Sequence, residues 1–269
     1  MKYLVAISLI LFLLFNTELN AQSQPETTYF TFDYMKVKPG KYADYVKTEA
    51  VWKKIHQAKI KAGMADGWSF YQVASPSGSN VEYDFVTVNV FRGNKQLAGF
   101  YEGEYFPKGW ESLLTKEELE LVNNTATTRS IVKSEVWYYV DGVFKEDWGK
   151  NSNIFVFNFM ATKPGKSVAE HTKIEQDVWK PVHDARIKGD QMTGWGMYNM
   201  MMPYGTFRDY YCGTLDVYKN MEQFLTSEYG KYFTQVHPGK DVDEMFAKTG
   251  EVTEIKMTVL MIKLDGTDN

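Results

Sequence analysis

The sequence predicts an α+β protein made of two tandem βαββαβ units, and two observations predict it. The chain matches itself: Phe30 to Lys41 agrees with Phe155 to Lys166 at 7 of 12 positions, and Trp52 to Tyr71 agrees with Trp179 to Tyr198 at 9 of 20. Random usage of roughly one in sixteen would give about two identities across both windows, so the chain is a duplication. The offset moves from 125 to 127 between the windows, a two-residue insertion, and 127 persists through Tyr83/Tyr210, Thr87/Thr214 and Val90/Val217. In addition, each copy shows the same succession of residue periods and turn signals.

Phe30, Phe32 and Tyr34 alternate with polar or small residues as a half-buried strand does, and Lys38-Pro39-Gly40 ends the run. A helix is expected from Tyr42 to Ala62, then strands over Trp68–Val73 and Tyr83–Phe91, joined through Ser75-Pro-Ser-Gly-Ser79. Leu113–Val122 reads as a second helix, with a turn or two before it after Asn94, and Ile131–Val140 as the fourth strand. The second copy repeats this with strands near 153–161, 193–201, 207–218 and 252–264 and helices near 167–188 and 220–247. The order βαββαβ is the ferredoxin-like arrangement, an antiparallel sheet with both helices on one face and the other face bare. Two copies cover each other's bare faces, so the units at 29–141 and 153–264 are expected to pack sheet to sheet with four helices outside. The charged segment 142–152 is the expected linker.

Composition narrows the function. At 44% apolar and 24% charged the chain is neither disordered nor collagen-like, and 34 acidic against 30 basic residues give a charge of −4 with no basic field for nucleic acid. The single Cys212 excludes an internal disulfide. Aromatics make up 16%, which points to aromatic-lined pockets or interfaces. At the N-terminus Lys2, the apolar run Leu4–Phe15 and the small, polar stretch Asn16–Ala21 follow the order of a secretory signal cut after Ala21. A periplasmic or secreted product without a stable membrane anchor is therefore expected.

The tandem pattern resembles the dimeric α/β-barrel superfamily, which includes antibiotic-biosynthesis-type monooxygenases, haem-degrading oxygenases and chlorite-dismutase-like proteins. The resemblance implies an intramolecular α/β barrel with ligand sites between sheet and helices. It rests on element order alone and assigns no catalytic residue.

The candidate site is the repeated helix segment Trp52-Lys-Lys-Ile-His-Gln-Ala-Lys-Ile60 and its mirror Trp179-Lys-Pro-Val-His-Asp-Ala-Arg-Ile187. At 100° per residue Val51, Ile55, Ala58 and Ala62 share the face expected against the sheet, while Trp52, His56, Lys59 and Ile60 form its flank. Two readings stand. Trp52 and Trp179 wedge helix to helix with His56 and His183 bonded to backbone, or each flank lines a pocket with an apolar wall, a His that moves a proton, and Lys59 or Arg186 for an anionic or enolate-like group. Trp68, Tyr71, Trp195 and Tyr198 on the strands are core residues or ring-stacking walls of that pocket. The four His, at 56, 171, 183 and 237, form no metal-binding spacing, and haem, which needs one His, is left open, so no cofactor is assigned. Met197 with Met200–Met202 reads as adaptable packing, and Cys212 as a buried filler. Without a nucleophile elbow, phosphate loop or dinucleotide fingerprint, two functions remain. One is an exported binder of a small apolar or aromatic ligand; the other is a cofactor-poor oxygenase or isomerase.

Overall fold

The computed structural model describes residues 26–78, 80–205 and 208–267, so the expected signal at 1–21 lies outside the described residues. The first unit runs β1 (Thr28–Val37), α1 (Tyr42–Lys61), β2 (Gly67–Ser75), β3 (Phe85–Arg92), α2 (Gly93–Tyr101), α3 (Lys116–Asn123) and β4 (Arg129–Phe144). A short helix, α4 (Trp148–Asn151), leads to β5 (Ile154–Thr162), α5 (Val168–Ile174), a π-helical turn (Glu175–Trp179), α6 (Lys180–Lys188), β6 (Gly194–Met202) and β7 (Cys212–Tyr218). Then come α7 (Met221–Leu225), α8 (Tyr229–Val236), α9 (Val242–Val252) and β8 (Thr253–Gly266). Both Lys-Pro-Gly turns place their glycine at positive φ, 74° at Gly40 and 82° at Gly165, where a side chain would be strained.

The strands form one closed antiparallel barrel in the order β1-β3-β2-β8-β5-β7-β6-β4. Each unit contributes the ferredoxin-like order, 4-1-3-2. The two sheets face each other as expected and also join edge to edge, β2 with β8 and β4 with β6, because each unit's outer strands would otherwise leave a row of unpaired backbone groups. The interior is aromatic, with Phe32, Tyr34, Trp137, Phe155, Phe157 and Tyr198 among its buried side chains. The opposite strand faces carry Trp68, Phe70 and Phe85 in one unit and Trp195 and Met197 in the other, toward the helices.

Three sequence expectations need correction. The linker is largely ordered structure: β4 continues to Phe144, and α4 packs Trp148 on Phe144 at 4.8 Å. The expected helix over 220–247 is three helices, since Gly239 at φ 78° breaks the chain and Asp241 caps α9 through the Asp243 and Glu244 amides. On α1, Val51 and Ile55 pack with Val122 of α3, and Ala62 is exposed. The sheet is met by the flank instead, through His56 stacked on Trp68 at 5.0 Å and the buried Lys59.

The seam between the units yields a test. Gly142 of β4 faces Gly196 of β6, and a Cβ on Gly142 would lie 2.5 Å from the Trp195 carbonyl oxygen. Gly142→Ala should destabilise the fold by about 1–3 kcal/mol in urea unfolding. Gly230→Ala, in open space on α8, should cost nothing and stabilise by up to about 1 kcal/mol. Equal effects of the two changes would contradict the seam's tight packing.

Candidate functional site

In the second unit the space between helices and sheet is a cavity of about 430 Å³. Its floor is Asn158 of β5, Trp195 of β6, Thr214 and Asp216 of β7 and Thr253 of β8; its walls are Glu175, Trp179 and His183; Tyr229 and Phe246 come from α8 and α9. Trp179 is anchored by its indole N–H, which donates to Thr249 Oγ1 at 3.0 Å, and it stacks on the half-exposed Phe246 at 4.6 Å.

The π-helical turn has a visible origin. Lys47-Thr-Glu-Ala-Val-Trp52 in the first copy corresponds to Lys173-Ile-Glu-Gln-Asp-Val-Trp179 in the second, with one residue more. The helix absorbs that residue as a wide turn, and Glu175 and Trp179 at its two ends both line the cavity.

The charges are unusual. Burial raises the Glu175 carboxyl to about 8, aided by the nearby Asp216. Burial also raises Asp216 to about 6, while Arg186 and Asn158 partly offset it. Asp216 Oδ1 is buried and has no hydrogen-bond partner. His183 lies with its ring nearly parallel to Trp195 at 5.0 Å, 3.9 Å from Asp216, and burial together with Arg186 holds it well below the usual imidazole value. Arg186 is itself buried, sits 4.7 Å above the Tyr229 ring and donates to Ser227 Oγ at 2.7 Å and Tyr218 Oη at 3.3 Å. At neutral pH the carboxylate pair therefore holds one proton between Glu175 and Asp216.

Arg186 Nη1 lies 3.2 Å from His183 Nδ1. A guanidinium only donates, so Nδ1 is the acceptor and the proton of the neutral imidazole sits on Nε2. That tautomer tests the site against haem. An axial ligand needs an unprotonated nitrogen, normally supported by a carboxylate or carbonyl at the other. Here the supporting group is a cation and the remaining nitrogen is protonated, so His183 does not fit a haem iron. His171 is wholly buried and joined to Thr253 Oγ1 at 3.0 Å, and it is not among the residues lining the cavity.

The first unit carries the same set in altered form. His56 stacks on Trp68, the Trp52 indole donates to Thr125 at 3.0 Å, Glu49 is raised to about 7 by burial, and Lys59 lies 5.6 Å from the Phe100 ring. The acid and amide are exchanged: Asp33 and Asn89 stand where the second unit has Asn158 and Asp216. Arg129, opposite Val37, occupies the register position that Thr253 holds opposite Thr162, and its charge acts on both Glu49 and Asp33. The long guanidinium side chain stands where the second unit has a short hydroxyl on the cavity floor.

Of the residues singled out from sequence, Trp179, His183 and Trp195 line the second-unit cavity, with Arg186 bonded to His183 behind them. Trp52, His56, Lys59 and Trp68 form the matching layer of the first unit. Tyr71 and Tyr198 belong to neither: three positions beyond Trp68 and Trp195, they point to the opposite strand face and lie in the barrel interior. Glu49, Glu175, Asp33 and Asp216 were not anticipated. The signal was present, since Glu49 and Glu175 are identical in the repeat, but the aligned windows excluded them.

The sequence matches no known protein-family profile and no curated protein. Solved structures are similar in fold. A putative monooxygenase from Fusobacterium nucleatum superposes with a TM-score of 0.56 at 11% identity, covering 91% of this chain and 95% of that one. An anthrone oxidase-like protein gives 0.51 at 11% identity, covering 91% and 94%. The fold is thus that of the dimeric α/β-barrel proteins, with both ferredoxin-like units in one chain.

The buried acids set a pH dependence. Glu175 in the folded protein lies above its ordinary 4.5, so its contribution to stability is present below that value and is lost as pH rises through about 8. Glu49 acts likewise up to about 7. Buried His171 and His183, held low, act in the opposite sense only below their ordinary 6.5. Stability should therefore fall as pH rises from 6.5 to 8, and Glu175→Gln should remove most of the fall above 7. Thermal melts across that range check this; an unchanged slope in the variant would refute it.

Proposed function

We propose that the second-unit cavity is a proton-transfer site for a small, planar, largely apolar substrate bearing a carbonyl or phenolic oxygen, and that the protein is a cofactor-poor oxygenase or isomerase. The observation that carries this is Asp216, whose Oδ1 is buried without a partner, lining a cavity walled by Trp179 and Trp195. A desolvated carboxylate with a raised pKa is a competent base near neutrality. Asp216 takes a proton from carbon, and the electron pair left behind moves onto the substrate oxygen. The His183 Nε2–H, with Arg186 behind the ring, is a donor for that oxyanion. Glu175, still protonated, is the acid that can return a proton.

An isomerase returns the proton to a different carbon. With dioxygen as oxidant, a methylene becomes a carbonyl and one water leaves, so the substrate supplies all four electrons. The names borne by the two fold neighbours, a monooxygenase and an anthrone oxidase-like protein, favour the oxidative outcome. The N-terminal segment supports action outside the cytoplasm, where no cellular reductant need be supplied.

Anthrone is the first substrate to try, with oxygen uptake and product mass as readouts. Wild-type protein should turn it over without added metal or cofactor, and Asp216→Asn should lower kcat/KM by about 100-fold, the scale of a lost general base, while the melt stays close to wild type. The rate should rise as Asp216 loses its proton near pH 6 and fall as Glu175 loses its proton near 8, with Glu175→Gln removing the upper limb. An Asp216→Asn variant as active as wild type would overturn the assignment.

A further inference from the structure

A second cavity, of about 350 Å³, lies inside the barrel, apart from the helix–sheet site. Phe30, Phe32, Tyr71, Val88, Phe155 and Leu215 line it. Phe30 and Leu215 pack against the interior cluster yet keep partial exposure, which the cavity supplies. Its size is within the range of small-ligand pockets, and its lining is overwhelmingly apolar.

The two barrel ends differ. At one, Glu135 is buried and receives hydrogen bonds from Tyr34 at 2.7 Å, Trp137 at 3.1 Å and Tyr210 at 2.5 Å. Lys133 sits there over the rings of Tyr34, Tyr83 and Tyr210, 4.5 to 5.5 Å from their centres, and donates to Tyr210 at 2.8 Å. This bonded plug closes that end. At the other end the cover is Trp148, half-buried on the four-residue helix α4, which takes no part in the strand ladder. The charged pair at this rim, Arg92 and Asp66, is joined at 2.6 Å, so neither group calls for an opposite charge on a ligand.

We infer that the barrel interior is a second small-molecule site, entered past Trp148, for a neutral apolar aromatic compound. Such a compound fills an apolar space that water occupies poorly and stacks on rings already held in place. Movement of Trp148 alone opens the way, because no ladder hydrogen bond must break.

The test is titration of the full chain with the neutral fluorophore N-phenyl-1-naphthylamine. Saturable one-to-one binding is expected, with tryptophan emission quenched less in Trp148→Phe. Leu215→Trp, which fills the cavity, should weaken binding at least tenfold; Val90 of β3 also lines the cavity, and Val90→Phe makes the same test from that wall should the first variant fail to fold. Gly250 of α9 also lines the helix–sheet cavity, so Gly250→Leu, which crowds that cavity, should leave affinity unchanged, and the anionic analogue 1-anilinonaphthalene-8-sulfonate should bind at least tenfold more weakly. Absence of saturable binding, or loss of binding in Gly250→Leu with retention in both filling variants, would overturn the interior site. Equal binding of the anionic probe would overturn the neutral class.

Discussion

Edge-to-edge hydrogen bonding between the two units is the constraint on which the molecule depends. A four-stranded ferredoxin-like sheet has two edges, and the β2–β8 and β4–β6 pairings consume all four at once. Closure then fixes everything else. One face of every strand must point to an enclosed interior, which is why that face is aromatic, and the helices are confined to the outside. Polar side chains on the outer strand faces are thereby trapped beneath helices, where burial perturbs them.

The duplication shows how little is needed to make two such layers different. Both copies retain a tryptophan indole bonded to a threonine, a histidine stacked on a strand tryptophan, a basic residue one turn later and a buried glutamate. A guanidinium at Arg129 and a hydroxyl at Thr253 separate them. In the first unit Asp33 accepts from Ser134 at 2.5 Å and has Arg129 and Lys59 nearby, so its charge is answered from several sides. In the second, the buried Oδ1 of Asp216 has no hydrogen-bond partner, and the carboxylate lines the cavity. Asymmetry between nearly identical halves thus comes from where the acid stands and which cations lie beside it.

Much of this was legible in the sequence, for identifiable reasons. The duplication carries the strand order, and the shared Trp-His-cation spacing picks out the helix that packs over each half of the sheet. On α1 the most apolar stripe does not face the sheet. Val51 and Ile55 instead serve the helix–helix contact, and His56 and Lys59 meet the sheet. Glu175 and Asp216 escaped because their importance lies in desolvation, a property of the folded surroundings and not of local pattern. Tyr71 and Tyr198 neighbour Trp68 and Trp195 in sequence, but an odd spacing on a strand places them on the opposite face.

At the end of the barrel that Trp148 covers, β1 begins at Thr28, β4 hands over to β5, and β8 runs out to Gly266 beside β2. With only β3 and β2 between β1 and β8, the first and last strands stand three strand spacings apart, roughly 14 Å. A short peptide could join them, and the 145–153 connection could be cut, giving a chain that reads second unit first with every strand pairing unchanged. The architecture is therefore indifferent to which copy is translated first. What makes the halves unequal is written in their side chains and would travel with them through such a permutation.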